Sequence, residues 1–347
     1  GHGLALFFAL GSPALLSSQA ATEFPIPTPA SGVHAIAAGP DGSLWFTEPP
    51  ANKIGRLTTV GLFTEFPLPS PGSFPAGIAA GPDGNVWFCE NGGNRIGRIT
   101  PGGAITEYPI VNPYPRGGPG FITSGPDGNL WFTETDGDRL GRVSRVTVSG
   151  QMTQFPSAVT SGNPHEIVAG ADGNLWFSMP SSGRIGRMTP AGVLTEFSTP
   201  APSGLPIPIA AGPDGNVWFG EVASSGSAAR IGRVAPAGQM TVYPVSSAIA
   251  GITTGPDGRL WYTRSPGTLG AITVDGALTE TRAAAAVELG GVTVGPDRAI
   301  WFVETDANAI ARVSVAADCA VKDSGGRCVR SAPVPVAHPP RVPHPLR

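Results

Sequence analysis

Gly39-Pro40-Asp41-Gly42-Ser43-Leu44-Trp45-Phe46-Thr47-Glu48 decides the fold, because the chain writes it seven times. It returns as GPDGNVWFCE (81–90), GPDGNLWFTE (125–134), GADGNLWFSM (170–179), GPDGNVWFGE (212–221), GPDGRLWYTR (255–264) and GPDRAIWFVE (295–304). The tryptophans stand at 45, 87, 131, 176, 218, 261 and 301, in steps of 42, 44, 45, 42, 43 and 40 residues. Every Trp in the chain belongs to this series. A fixed period in that range signals a repeat architecture.

The Pro-Asp-Gly run is turn chemistry: proline presets φ, and glycine takes the left-handed position without steric cost. It sits between two short apolar runs, Ala35–Ala38 and Leu44–Thr47, which predicts a hairpin. Lys53–Leu57 reads as a third strand and Thr64–Leu68 as a fourth. Four short strands per period make one propeller blade. No period holds an apolar helical stretch of ten residues or more.

Ring closure is also written in the text. The fourth-strand motif occurs as TEFPIP (22–27), TEFPLP (64–69), TEYPIV (106–111), TQFPSA (153–158), TEFSTP (195–200), TVYPVS (241–246) and TETRAA (279–284). One copy precedes the first Trp motif and none follows the seventh. The N-terminal strand is therefore expected to complete the last blade, which removes the exposed sheet edges of an open array. The fold class predicted is all-β, a seven-bladed propeller of four-stranded antiparallel blades over residues 22–315.

Charged residues make up 14% of the chain, with 49 Gly, 38 Pro and a net charge of −3. The absence of a basic excess argues against nucleic acid as a partner. Residues 1–21 lie outside the repeat. The apolar run Leu4–Leu10 and the small residues ending at Ala20 read as a signal-peptide remnant, with a disordered leader as the alternative. The run is too short to span a bilayer. A secreted or periplasmic, monomeric protein is expected, or a cytoplasmic one if the leader is not functional. Residues 316–347 read as a Pro-rich disordered tail. If the chain is exported, Cys319 and Cys328 are placed for a small-loop disulfide. Cys89 replaces a strand Thr and is expected to be buried and inert.

Residues repeated in most blades are scaffold. Trp45 and its equivalents are expected to pack between blades. Arg56, Arg98, Arg142, Arg187, Arg233 and Arg312 recur in the third strand, and Glu23, Glu65, Glu107, Glu196 and Glu280 in the fourth, as charge pairs. Function is sought where the repeats disagree, on the loops of one face. Five residues before each leading Gly, the lead-in positions read His34, Ala76, Gly120, His165, Ile207, Ala250 and Gly290. Both histidines of the repeat region occupy this slot, as site residues or as neutral strand caps. Two positions earlier Glu288 is the sole acid, and Glu166 adjoins His165. The loop before the third blade carries Tyr114 and Arg116. After the second strand, Met179 and Arg264 replace a recurrent Glu and are candidates to shape a pocket.

The pattern P-x-x-I-x-x-G-P-D-G-x-L-W-F-T-E, then R-I-G-R-I-T, then G-x-I-T-E-F-P-I-P resembles the streptogramin B lyases (virginiamycin B lyase family), which are seven-bladed propellers. The likeness covers 22–315. Val33-His34-Ala35-Ile36-Ala37-Ala38-Gly39 resembles a catalytic-histidine segment of that family, P-H-A-I-T-A-G. The resemblance implies an antibiotic-resistance enzyme that opens a cyclic depsipeptide by elimination. A base removes the proton α to a carbonyl, Mg²⁺ stabilises the developing charge, and the ester carboxylate leaves. It implies His34 in catalysis; His165 and Glu288, singled out by the repeat irregularities, are the further catalytic candidates, and the same irregularities place Tyr114, Arg116, Glu166, Met179 and Arg264 around a small cyclic peptide or ester at the channel mouth.

Three departures stand out. The family sets its two histidines in adjacent blades, whereas His34 and His165 fall in blades one and four, well apart around the ring. Asn163 stands where the family has Glu two residues before the second His. No acid follows four residues after any Trp. Two further readings stay open: a non-catalytic secreted propeller binding a peptide, glycan or protein, and a metal-dependent lactonase-type hydrolase with a Glu, Asp and Asn cluster at the channel.

Overall fold

The computed structural model describes residues 21–111, 117–135, 141–155, 162–200, 204–223, 228–283 and 287–315. The leader through Ala20, the loop residues Tyr114 and Arg116, and the tail with Cys319 and Cys328 lie outside them. Among the described residues, strands form seven four-stranded antiparallel sheets. Blade one shows the plan: Ile36–Ala38, Ser43–Glu48, Lys53–Thr58 and Phe63–Pro67 pair in chain order. The first strands of successive blades touch one another all the way round, from blade one to blade seven and back. They are therefore the inner wall of a closed ring.

Blade seven takes Leu289–Val294, Ile300–Glu304 and Ala309–Val313, and its outer strand is Thr22–Pro25. Thr22 pairs with Arg312 and Pro25 with Ala309. Phe24 stacks on Trp301 with ring centroids 5.2 Å apart. Asn308 is the latch: its Oδ1 accepts from the Ser31 N–H at 2.9 Å and hydroxyl at 2.8 Å, and its amide donates to the carbonyl of Thr28 at 2.9 Å.

The hairpin motif has a second use beyond the turn. Gly42 sits at φ 76°, the left-handed conformation that glycine adopts freely. A Cβ on Gly39 would collide with the indole edge of Trp45. Asp41 Oδ1 accepts from the Trp45 indole N–H at 2.9 Å. Arg56 lies over that indole at 5.8 Å and pairs with Asp41 Oδ2 at 3.1 Å. An Asp–Trp bond of this kind occurs in every blade. The acid four residues before each Trp thus satisfies the indole donor that burial would otherwise orphan. In blade six Ala271 occupies the Arg position, and Arg259 takes over, pairing with Asp257 and covering Trp261. Each indole then packs onto the next blade; Trp45 meets Ile78, Val86, Phe88 and Ile99.

Blade three corrects one sequence equivalence. Arg145, not Arg142, pairs with Trp131 in the strand register and lies over its ring at 5.5 Å. Arg142 sits opposite Glu134 instead, 3.3 Å away. Ser144 occupies the place of Gly55 beneath the Phe ring, and its hydroxyl bonds Glu134.

The recurrent acids at the ends of the second strands are buried scaffold. In blade two Arg95 lies between Glu90 at 3.0 Å and Glu107 at 3.5 Å. In blade six the set is inverted: Arg264 stands in the acid's place and bonds Glu280 at 2.9 and 2.7 Å. Met179 is fully buried in the core of blades three and four. Neither residue lines the axial cavity described below. In blade one Lys53 turns to Glu65 and the Thr28 hydroxyl, leaving both oxygens of buried Glu48 without partners.

Candidate active site on the ring axis

The lead-in residues of blades one, four, six and seven, His34, His165, Ala250 and Gly290, meet at the ring axis. There a cavity of about 520 Å³ is lined by residues from all seven blades. His34, His165, Glu166 and Glu288 all line it. The separation of two histidines by blade number does not survive: side chains pointing inward from a narrow ring converge. Phe121 of blade three stands between them, its ring 6.1 Å from His34 and 4.7 Å from His165.

Backbone clamps fix the imidazoles. His34 N–H donates to Thr47 O at 3.1 Å, and His165 N–H to Ser178 O at 2.8 Å. The second-strand hydroxyl of Thr133 accepts from Phe121 N–H at 3.1 Å and donates to His165 O at 2.7 Å. One side chain thereby sets the spacing of Phe121 and His165 across the blade three–four seam. Thr47 does the same for blades one and two through Ala76 O at 2.9 Å. Cys89 stands at this position in blade two, buried, its thiol pushed far up by desolvation and so unreactive.

Desolvation lowers both histidines; His165 falls to about 4, with His34 as the second cause. Both imidazoles are uncharged at neutral pH. His165 Nδ1 is buried without a partner. Glu166 points into the seam between blades four and five, where its Oε2 accepts from the Ile209 N–H at 3.1 Å. Part of its surface stays on the cavity, but protein surrounds it, and desolvation raises its carboxyl to about 8. Glu288 is exposed on the rim beside the first strand of blade one.

Phe121 escaped the sequence reading. Its position, one after the lead-in, otherwise holds Ala35, Gly77, Glu166, Pro208, Gly251 and Gly291. A lone aromatic and a lone acid in a slot of small residues were the available signal.

Stability should record the buried acids. Glu48 and Glu304 are raised to about 7 by desolvation first, then by Glu65 and Glu23 respectively. With Glu166, they hold protons in the folded chain that the unfolded chain has released. The folded state therefore binds more protons, and stability falls as pH rises toward about 8. The lowered His165 acts oppositely, but only between about 4 and 6.5. Above that window the acids alone set the slope. The urea midpoint is expected to drop between about pH 6.5 and 8, and Glu48→Gln to flatten the drop.

A Mg²⁺ ion takes oxygen ligands and retained waters. Among the described residues, no three His, Cys, Asp or Glu side chains stand together to hold a metal. Glu166 is engaged by a backbone N–H and uncharged at neutral pH, which disfavours it as a ligand. Among the described residues, Glu288 is the exposed carboxylate on the cavity and would hold such an ion together with retained waters, where the ion would supply Lewis-acid stabilisation to a substrate oxygen; no step below passes through it.

The virginiamycin B lyase family matches residues 13–145 and 140–325. A streptogramin B lyase structure is 33% identical, covering 84% of this chain and 96% of that one, with a TM-score of 0.76. A catalytically inactive histidine-to-alanine variant of virginiamycin B lyase from Staphylococcus aureus, with quinupristin, is 31% identical over 85% of this chain and 99% of that one, with a TM-score of 0.77. Virginiamycin B lyase of Bordetella pertussis is 48% identical over 40 residues, 12% of this chain and 13% of that relative's length.

Proposed function

Because this chain belongs to the virginiamycin B lyase family, we propose that it opens a cyclic depsipeptide of streptogramin B type, or a related ester, by elimination. The observation that carries this reading is the convergence of His34 and His165 on one axial cavity around Phe121. Its volume falls within the range of small-molecule sites, about 300–1,000 Å³. Ile36, Ile209 and Phe121 supply apolar wall; the histidines and acids supply the few polar groups.

His34 is assigned as general base. It is open to the cavity and uncharged, and it sits in the segment that resembles the family's catalytic one. His165 is the weaker base, since its conjugate acid forms only near about 4. It serves better as a neutral hydrogen-bond donor that orients the substrate carbonyl. Glu288 on the rim faces the substrate's outer edge. The α C–H bond breaks and its proton passes to His34. The electron pair forms the new C=C bond, and the ester C–O bond breaks as the carboxylate departs.

Purified protein incubated with a streptogramin B, with the product weighed by mass spectrometry, tests this. A linear product of unchanged mass is expected. A product heavier by one water would replace elimination with hydrolysis, and intact macrocycle at all times would sink the lyase reading.

A further inference from the structure

Removal of a proton α to a carbonyl loads negative charge onto the carbonyl oxygen, and something must stabilise it. A hydrogen-bond donor of the chain itself, on the cavity wall, is one such stabiliser. We propose that Glu166, anchored through Oε2 to the Ile209 N–H on the cavity wall, donates a hydrogen bond from its other carboxyl oxygen to the enolate oxygen formed in the cavity. The inference rests on the elimination reading and deepens it.

The geometry supports the role. Oε2 is taken by the Ile209 N–H, which marks it as the carbonyl-type oxygen and leaves Oε1 to carry the proton. Among the described residues no side chain or backbone group pairs with Oε1, and the residue lines the cavity. Among the described residues no cation pairs with either oxygen to compensate an ionised carboxylate. A charge in that seam would cost far more than a neutral acid with one hydrogen bond. The residue is also the only acid at its position in seven blades, so the ring itself does not require it. Its O–H is shared with the substrate oxygen while charge is present. It is whole again when the C=C bond has formed, and no proton is consumed.

The alternative is a plain staple between blades four and five. Glu166→Gln keeps both the Ile209 bond and a donor, and cannot ionise. Glu166→Ala removes both. With a donor role, kcat/KM of the wild type falls above about pH 8, the value to which the carboxyl is raised. Glu166→Gln loses that alkaline limb and stays within about tenfold of the wild-type rate. Glu166→Ala loses about 10²–10³ in kcat with little change in KM. An alkaline limb that persists in Glu166→Gln, or a wild-type kcat in Glu166→Ala, overturns the proposal. A direct readout is independent of activity: ¹³C-carboxyl NMR of the wild type at pH 7 should show a neutral glutamic acid signal that Glu166→Gln deletes. Absence of that signal overturns the role even if the enzyme is active. Its presence in a protein that opens no streptogramin ring refutes the lyase reading, and the role with it.

Discussion

His34→Ala is expected to lower kcat for ring opening by about 10²–10⁴-fold, the usual contribution of a positioned general base. The fold should be untouched. His34 projects into open cavity rather than into a packed seam, so its removal creates no buried void. The thermal midpoint should match wild type, and intact streptogramin should still bind. His165→Ala should cost less in rate, about 10²–10³-fold, because it removes a donor and not the base. The acid limb of the pH profile separates the two. It should follow His34, whose pKa lies below its usual value, so that activity persists below pH 6.5. A His34→Ala protein that turns over at the wild-type rate would remove the assigned base.

Deleting residues 22–31 should have the largest effect on folding. The cut removes the fourth strand of blade seven, the Phe24–Trp301 stack and the partners of Asn308. Ile26, buried among Leu44, Phe46 and Trp301, goes too. Loss of one such buried side chain alone costs about 2–5 kcal/mol. Typical domains have about 5–15 kcal/mol in all. The third strand Ala309–Val313 would become an open edge, a template for aggregation. The truncated chain is expected to appear in the insoluble fraction, or to lose its cooperative urea transition. A soluble truncated chain with the wild-type midpoint would mean that closure contributes little.

Much of this was legible because the repeat is close to exact in its turn chemistry. Pro-Asp-Gly-x-x-Trp marks where each hairpin turns, and the early TEFPIP copy announces which strand closes the ring. What failed to show was depth and compensation. A count of blades places His34 and His165 around a circumference, yet the distance between side chains depends on how far each reaches inward. Phe121 bridges that gap, and only its oddity among glycines and alanines hinted at it. Met179 and Arg264 looked like pocket residues because each was read alone. Read with its neighbours across the sheet, Arg264 completes a charge set that Thr268 leaves short of a cation and Glu280 receives. Arg142 was misplaced for a related reason: the text Arg-Leu-Gly-Arg repeats three residues early, whereas strand register obeys the ring of Trp131 that Arg145 must cover.

The central claim is that one axial cavity, framed by His34, Phe121 and His165, holds the reacting ring. A lactam analogue of a streptogramin B, with an amide replacing the labile ester, would bind without turning over. Imidazole NMR during its titration, with signals assigned from His34→Ala and His165→Ala, reads the site directly. Both signals are predicted to move along one saturation curve. Binding that leaves both unmoved, or shifts them at unrelated affinities, would contradict a shared site.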